Sequence, residues 1–115
     1  MIKMIIKRAK ESDLSEILSL QKKAYQSEAK IYNDFSIPPL LQTLDEIKDE
    51  FKKGIFLKAV ENEKIIGSVR GNLIDSETCY IGRLIVHPDF QNQGIGTKLM
   101  KEIEDKFSYC KNLSL

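Results

Sequence analysis

Three strand-like runs, Ile55–Val60, Ile65–Ile74 and Thr78–Val86, are separated only by the short turns Glu61-Asn62-Glu63-Lys64 and Asp75-Ser76-Glu77. Parallel neighbours need a crossover of about a dozen or more residues, so these runs must form an antiparallel meander. The pieces around the meander are consistent with it. Residues 2–8 read as a first strand. Asp13, paired with Glu16 as a cap, starts a helix whose apolar stripe is Leu14, Ile17, Leu18 and Ala24. The stretch from Gln26 to Gln42, with Pro38-Pro39, is expected to be a long irregular connection, a kind of segment that often carries function. Thr43 and Glu46 form a capping box for a second helix with the stripe Leu44, Ile47 and Phe51, and Gly54 is expected to close that helix in a left-handed conformation. Beyond Pro88, a last helix follows Gly94 with Ile95, Leu99, Ile103 and Phe107 on one face, and Asn112–Leu115 reads as the start of a fifth strand. The class is α+β.

At 115 residues the chain has room for one domain, spanning 1–115. A net charge of +1 provides no whole-molecule field to draw in nucleic acid or an acidic membrane. Acids and bases alternate, as in Lys48-Asp49-Glu50-Phe51-Lys52, which reads as a solvated helix face. The run Met1–Ile6 is too short and too interrupted for a signal peptide or a membrane span. The expected compartment is therefore the reducing cytoplasm, with Cys79 and Cys110 as plain thiols, since their spacing suggests neither a metal site nor a disulfide framework. His87 has no histidine partner, which argues against zinc.

The chemically informative segment runs from Arg83 to Met100: a strand, a turn with two glycines, then an amphipathic helix. Free N–H groups at a helix start carry about half a positive charge, and glycines let an anion approach the backbone closely. Such a junction is a phosphate cradle. Gly94-x-Gly96 alone is also compatible with a tight turn whose glycine serves helix–sheet contact. A dinucleotide fingerprint would have a small residue where Leu99 stands and a βαβ setting, and Gly96-Thr97-Lys98 is not the Gly-Lys-Ser/Thr of a triphosphate loop.

Gln91-Asn92-Gln93-Gly94-Ile95-Gly96, preceded by Leu84-Ile85-Val86-His87-Pro88, resembles the Q/R-x-x-G-x-G/A signature of the GNAT superfamily of N-acetyltransferases at each fixed position. The element order resembles the first two-thirds or so of that fold. The resemblance implies a mixed, mainly antiparallel sheet with helices on both faces, in the order β1-α1-α2-β2-β3-β4-α3 and the start of β5. It also implies acetyl-CoA as cosubstrate and an amine acceptor, without a metal. By the same resemblance, backbone amides of Gln91, Asn92, Gln93, Gly94, Ile95, Gly96 and Thr97 would hold the pyrophosphate, and Lys98 would meet a CoA phosphate. The main chain of Leu84, Ile85 and Val86 would pair with the pantetheine arm, an amide near Leu84 facing the thioester oxygen. The family's glutamate base aligns with Tyr80, a phenol whose ordinary pKa near 10 makes it a poor base. Water chains, Glu28 or Asp34 are the other candidates for proton transfer. Arg83 could face the acceptor or pair with a carboxylate. The family's thiolate-protonating tyrosine lies beyond its fifth strand. The chain is therefore expected to be an incomplete form of a longer protein, or to complete its sheet as a homodimer. The readings that follow are an N-acetyltransferase using a ternary complex, a non-catalytic acyl-CoA-binding module, and, as a third, a nucleotide-binding regulatory domain.

Overall fold

The computed structural model describes residues 4–114, the side chain of Glu28 excepted. Strands β1 (Ile5–Arg8), β2 (Gly54–Glu61), β3 (Lys64–Leu73), β4 (Thr78–Val86) and β5 (Asn112–Ser114) lie in that spatial order in one sheet. Neighbours are antiparallel except β4 and β5, which run parallel. The helices are α1 (Leu14–Tyr32), α2 (Pro38–Leu41), α3 (Leu44–Lys53) and α4 (Ile95–Lys106). The expected α+β class and strand meander are thus present. The expected strand reaching Leu115 and the start of the expected first strand fall on residues outside those described.

The meander closes tightly at Asn62 and Glu63, both at positive φ, as a two-residue hairpin turn requires. One face of the sheet packs on α4, whose stripe Ile95, Leu99, Ile103 and the following Phe107 meets Leu57, Ile66, Val69 and Ile81. All four stripe residues are buried, and each such side chain contributes roughly 1.5–3 kcal/mol. On the other face Leu14, Ile17 and Leu18 of α1 and Ile47 of α3 pack on Phe56, Ile65 and Ile85.

Several local expectations are corrected. The irregular connection from Gln26 to Gln42 is mostly helical. Helix α1 continues to Tyr32 with Ala29 buried, and stops where Asn33 turns left-handed at φ 51°. Pro38 and Pro39 open α2, where a missing N–H costs no hydrogen bond. Asp13 and Glu16 do not cap one another. Asp13 instead accepts from the Lys10 N–H at 2.7 Å and pairs with Lys58 at 2.8 Å, while Glu16 accepts from the Ile65 N–H at 2.8 Å, tying α1 to β3. Gly54 is extended, not left-handed, and is the first residue of β2. A Cβ there would collide with the Gly71 carbonyl oxygen, so close strand approach, not helix termination, is what needs glycine at this position. The Thr43 box forms as expected: Glu46 N–H donates to Thr43 Oγ1 at 3.2 Å and Thr43 N–H to Glu46 Oε1 at 2.9 Å.

The cysteines are not plain thiols: Cys79 and Cys110 are joined as a disulfide, with Cα atoms 6.2 Å apart. The return of the chain from α4 to β5 carries Cys110 back to the start of β4. A separation of 31 residues conceals that proximity in the sequence.

Candidate functional site

Strand β4 changes character at Arg83. Cys79 and Ile81 face α4, but Ile85, which simple alternation would put beside them, packs on α1. The register explains the switch. Arg70 pairs with Gly82 and Ser68 with Ile85, so two steps along β3 match three along β4. One extra residue is a β-bulge, and Arg83 occupies it at φ 51°. Strand β5 pairs only with Thr78, Cys79 and Tyr80. From Ile81 to Val86, β4 therefore has no strand partner on that side among the described residues, and its main chain there opens on two depressions.

The first is a groove of about 420 Å³ between the end of β4 and the start of α4, bounded by Leu84, Val86, Asn92, Gly94, Ile95, Gly96 and Thr97, with Phe90 as an apolar wall. It continues toward α1 through a smaller space of about 200 Å³ between Ile85, Gln91 and Tyr25. Asn92 and Gly94 are left-handed, with φ 63° and 79°. A Cβ at Gly94 would meet no protein atom within 4 Å, so the requirement for glycine is conformational and the space above it is open to a ligand. The Lys98 N–H donates to the Gly94 carbonyl at 3.1 Å, the first bond of α4. The N–H groups of Ile95, Gly96 and Thr97 precede it and have no acceptor within the helix. Gln93 and Lys98 are exposed beside this turn. His87 holds the turn from behind. It is buried, its Nδ1 accepts from the Asp89 N–H at 3.1 Å, and its ring meets Phe90 edge-on. Burial, reinforced by Lys23 and Lys64 and partly offset by Asp89, lowers its pKa and keeps the imidazole neutral.

The second depression, of about 260 Å³, lies on the α3 side of the sheet and is lined by Glu50, Lys53, Phe56, Arg70, Asn72, Tyr80 and Arg83 together with Gly71. Its floor is a buried polar network. Arg70 Nη2 donates to Gln21 Oε1 at 2.9 Å and Gln42 Oε1 at 3.0 Å. Gln21 Nε2 donates to the Pro39 carbonyl and to Gln42 Oε1, and Gln42 Nε2 to Glu50 Oε1, each at 2.9 Å. Arg70 Nε lies 3.0 Å from Glu50 Oε2, an ion pair without hydrogen-bond alignment, and the guanidinium rests 5.0 Å over the Phe56 ring. Burial pulls the Arg70 pKa down to about 10; Glu50 opposes and Arg83 adds to the shift. Arg70 thus stays charged at neutral pH. Glu50, expected on a solvated face, instead anchors this cleft. Tyr80 also lines it, with its phenol over Gly82: a Cβ on Gly82 would lie 2.6 Å from the Tyr80 hydroxyl.

Of the residues the sequence singled out, Leu84, Ile85, Val86, Gln91, Asn92, Gly94, Ile95, Gly96 and Thr97 are brought together at the groove, and Tyr80 and Arg83 at the cleft. Asp34 lines neither; it is exposed and accepts from the Ser36 N–H at 2.9 Å and the Ser36 hydroxyl. Hydrogen bonds from Ser36 lower its pKa. Glu28 lies in α1, its side chain outside the description. Glu50, Lys53, Arg70 and Asn72 were missed by the sequence reading. No described helix is long and apolar enough to cross a membrane.

The sequence profile described as Acetyltransferase (GNAT) family matches residues 13–113. No curated protein matches the chain by sequence. Among solved structures, a predicted acetyltransferase from Clostridium acetobutylicum with acetyl-CoA is similar at TM-score 0.76 and 20% identity, over 98% of this chain and 80% of that one. A GNAT family acetyltransferase from Brucella melitensis in complex with acetyl-CoA is similar at TM-score 0.71 and 22% identity, over 94% and 70%. The PaiA N-acetyltransferase of Thermoplasma acidophilum in complex with coenzyme A is similar at TM-score 0.66 and 19% identity, over 93% and 73%.

Proposed function

Because the chain belongs to the acetyltransferase (GNAT) family, we propose that it moves an acetyl group from acetyl-CoA to a primary amine by direct attack in a ternary complex. The observation that carries this reading is the bulged, one-sided end of β4 opening onto the free N–H groups of α4. In this reading the pyrophosphate sits on the turn from Gln91 to Thr97, where backbone donors and a helix N-terminus converge. Lys98, exposed next to the turn, meets a CoA phosphate from solvent. The pantetheine arm adds to Leu84, Ile85 and Val86 as a short extra strand would. The relatives crystallised with CoA or acetyl-CoA share the fold and support this choice of cosubstrate.

The bulge then has a chemical use. It turns the main chain near Leu84 out of the ladder, so an amide can face the thioester oxygen. The neutral amine attacks the carbonyl carbon, and that amide stabilises the oxyanion. Collapse breaks the C–S bond, the amine proton passes to solvent, and the departing thiolate takes a proton to leave as CoA thiol. Of the two proposed proton-transfer side chains that are described, Tyr80 lines the α3-side cleft and Asp34 does not.

Calorimetry with acetyl-CoA, followed by thiol-release kinetics with amines, tests this reading. Saturable binding and intersecting initial-rate patterns are expected. A covalent acyl-enzyme would sink the direct-attack mechanism. Tight binding with no turnover across an amine panel would instead make the chain an acyl-CoA-binding module.

A further inference from the structure

The lining of the α3-side cleft is unbalanced in charge. Lys53, Arg70 and Arg83 contribute three cations and Glu50 one carboxylate. The carboxylate is committed: Glu50 is held by Arg70 and by Gln42. Arg70 is committed too, buried against Glu50, Gln21 and Gln42. Lys53 and Arg83, by contrast, have no acidic partner within ion-pair distance among the described residues. They stand at the mouth and at the β4 wall of one small cleft. Arg83 is fixed there by the bulge, immediately before Leu84.

We propose that this cleft takes an acceptor amine carrying its own anionic group, a carboxylate or a phosphate, held by Arg83 and Lys53. The proposal rests on the acetyl-transfer reading above and names the substrate class of that site. Arg83 suits the task because its guanidinium presents paired donors that match both oxyanions. The cleft volume of about 260 Å³ falls below the range of drug-sized pockets and fits a molecule of amino-acid size.

The same charges address the deprotonation problem. An ammonium group entering a cleft with surplus positive charge is disfavoured relative to the neutral amine. The anion of the acceptor is attracted while its amine is delivered unprotonated, so no strong base is required beside the nucleophile. The field that favours such a molecule repels a polycation. Spermidine and aminoglycosides should therefore be poor acceptors.

The test pairs each anionic amine with a matched partner in a thiol-release assay: amino acids against their amides, ethanolamine phosphate against ethanolamine, and spermidine as the cationic arm. At least tenfold higher kcat/KM is expected for the anionic member of at least one pair, and the two pairs separate carboxylate from phosphate recognition. Arg83→Gln should raise KM for that acceptor at least tenfold while leaving acetyl-CoA affinity by calorimetry within about twofold. Lys53→Gln, at an exposed position where folding is not at stake, should raise it by a smaller factor. Equal or faster turnover of the neutral member in both pairs, or turnover of spermidine equal to that of the preferred anionic amine, overturns the proposal, as does an unchanged KM in both variants. Failure to acetylate any anionic amine, in a protein that does acetylate neutral or cationic amines, overturns it as well. Absence of acetyl-CoA binding, or binding without turnover of any amine, is a different result, which removes the acetyl-transfer reading beneath it.

Discussion

The two depressions flanking the β4 bulge are made of different materials. The groove above α4 is built from main chain: a one-sided strand, two left-handed residues and three helix-start N–H groups. The cleft below α3 is built from side chains of four strands and helices around a buried arginine. A backbone site needs a local conformation and tolerates many side chains. A side-chain site needs particular residues brought together from distant parts of the chain. The first should therefore respond to changes in φ, and the second to changes in charge.

The largest effect is expected at Arg70. Replacing it with Met removes its hydrogen bonds to Gln21 Oε1 and Gln42 Oε1, contacts to a charged group worth about 1.5–3 kcal/mol each, whereas Glu50, with 42% of its side chain exposed, can turn to solvent and adds little. Urea midpoints for Arg70→Met against Lys53→Met measure the contrast, since the exposed lysine should shift stability by less than about 0.5 kcal/mol. Equal shifts would mean that the network under the cleft is not its scaffold.

Next is the Cys79–Cys110 link. For a separation of 31 residues the chain-entropy estimate is roughly 3.5 kcal/mol. Reductant should lower the melting temperature of the wild type but not of Cys110→Ser, and should leave acetyl-CoA affinity nearly intact, because the groove is formed by residues 84–97. Superimposable melts with and without reductant would remove the link as a stabilising element.

At the groove, Gly94→Val places a β-branched residue at φ 79°, costing about 1–2 kcal/mol of backbone strain. If the turn relaxes to avoid the strain, its N–H groups no longer converge. Each contact to a charged group lost this way is worth about 1.5–3 kcal/mol, so acetyl-CoA affinity should fall tenfold or more. Unchanged affinity in a folded Gly94→Val protein would relocate the cosubstrate.

This contrast also governs what could be read in the sequence. The groove was legible because strand, turn, glycines and apolar-striped helix all fall between Arg83 and Met100, where spacing reports geometry directly. The meander and the Thr43 box were legible for the same reason. The cleft was not, because residues 21, 42, 50, 53, 70 and 83 meet only in the folded chain. Glu50 was hidden inside an alternating charge run. Two signals were nonetheless present. Arg70 is a lone charge within the apolar run Ile65–Gly71, and such a residue must find partners when buried. Arg83 interrupts the alternation Cys79, Ile81, Ile85 at a position that should be apolar, as a bulge would explain. Gly54 misled because helix termination and close strand approach both select glycine.

A smaller effect should come from Thr43, which caps the helix carrying Glu50 and Lys53. Thr43→Ala leaves the Glu46 N–H without its cap and should cost about 1 kcal/mol. If the cleft depends on where α3 sits, the KM for the anionic acceptor should rise with it while acetyl-CoA affinity stays level. A parallel loss of both would mean that the two depressions are mechanically coupled.

The smallest effect expected is a slope with pH, and it belongs to the groove. His87 titrates below its ordinary value in the folded chain because burial and the charges of Lys23 and Lys64 disfavour its cation, against a weaker pull from Asp89. The unfolded chain therefore binds the proton first as pH falls through about 6.5. The stability His87 contributes is fully present above that value and is lost as pH falls toward the lowered folded pKa. Asp13, Asp34, Glu46 and Asp75 are also lowered and act in the same direction, but only near and below their ordinary values of about 4. Melts between pH 5 and 8 thus isolate the histidine. In His87→Gln the side-chain oxygen can still accept from the Asp89 N–H but cannot titrate, so the melting temperature should vary less over that interval than in the wild type. Acetyl-CoA affinity should follow the same pattern, weakening toward pH 5 only where the imidazole is present, because protonated Nδ1 can no longer accept the Asp89 N–H that shapes the turn ahead of Gln91. Identical pH profiles in both proteins would mean that the turn holds its shape without His87.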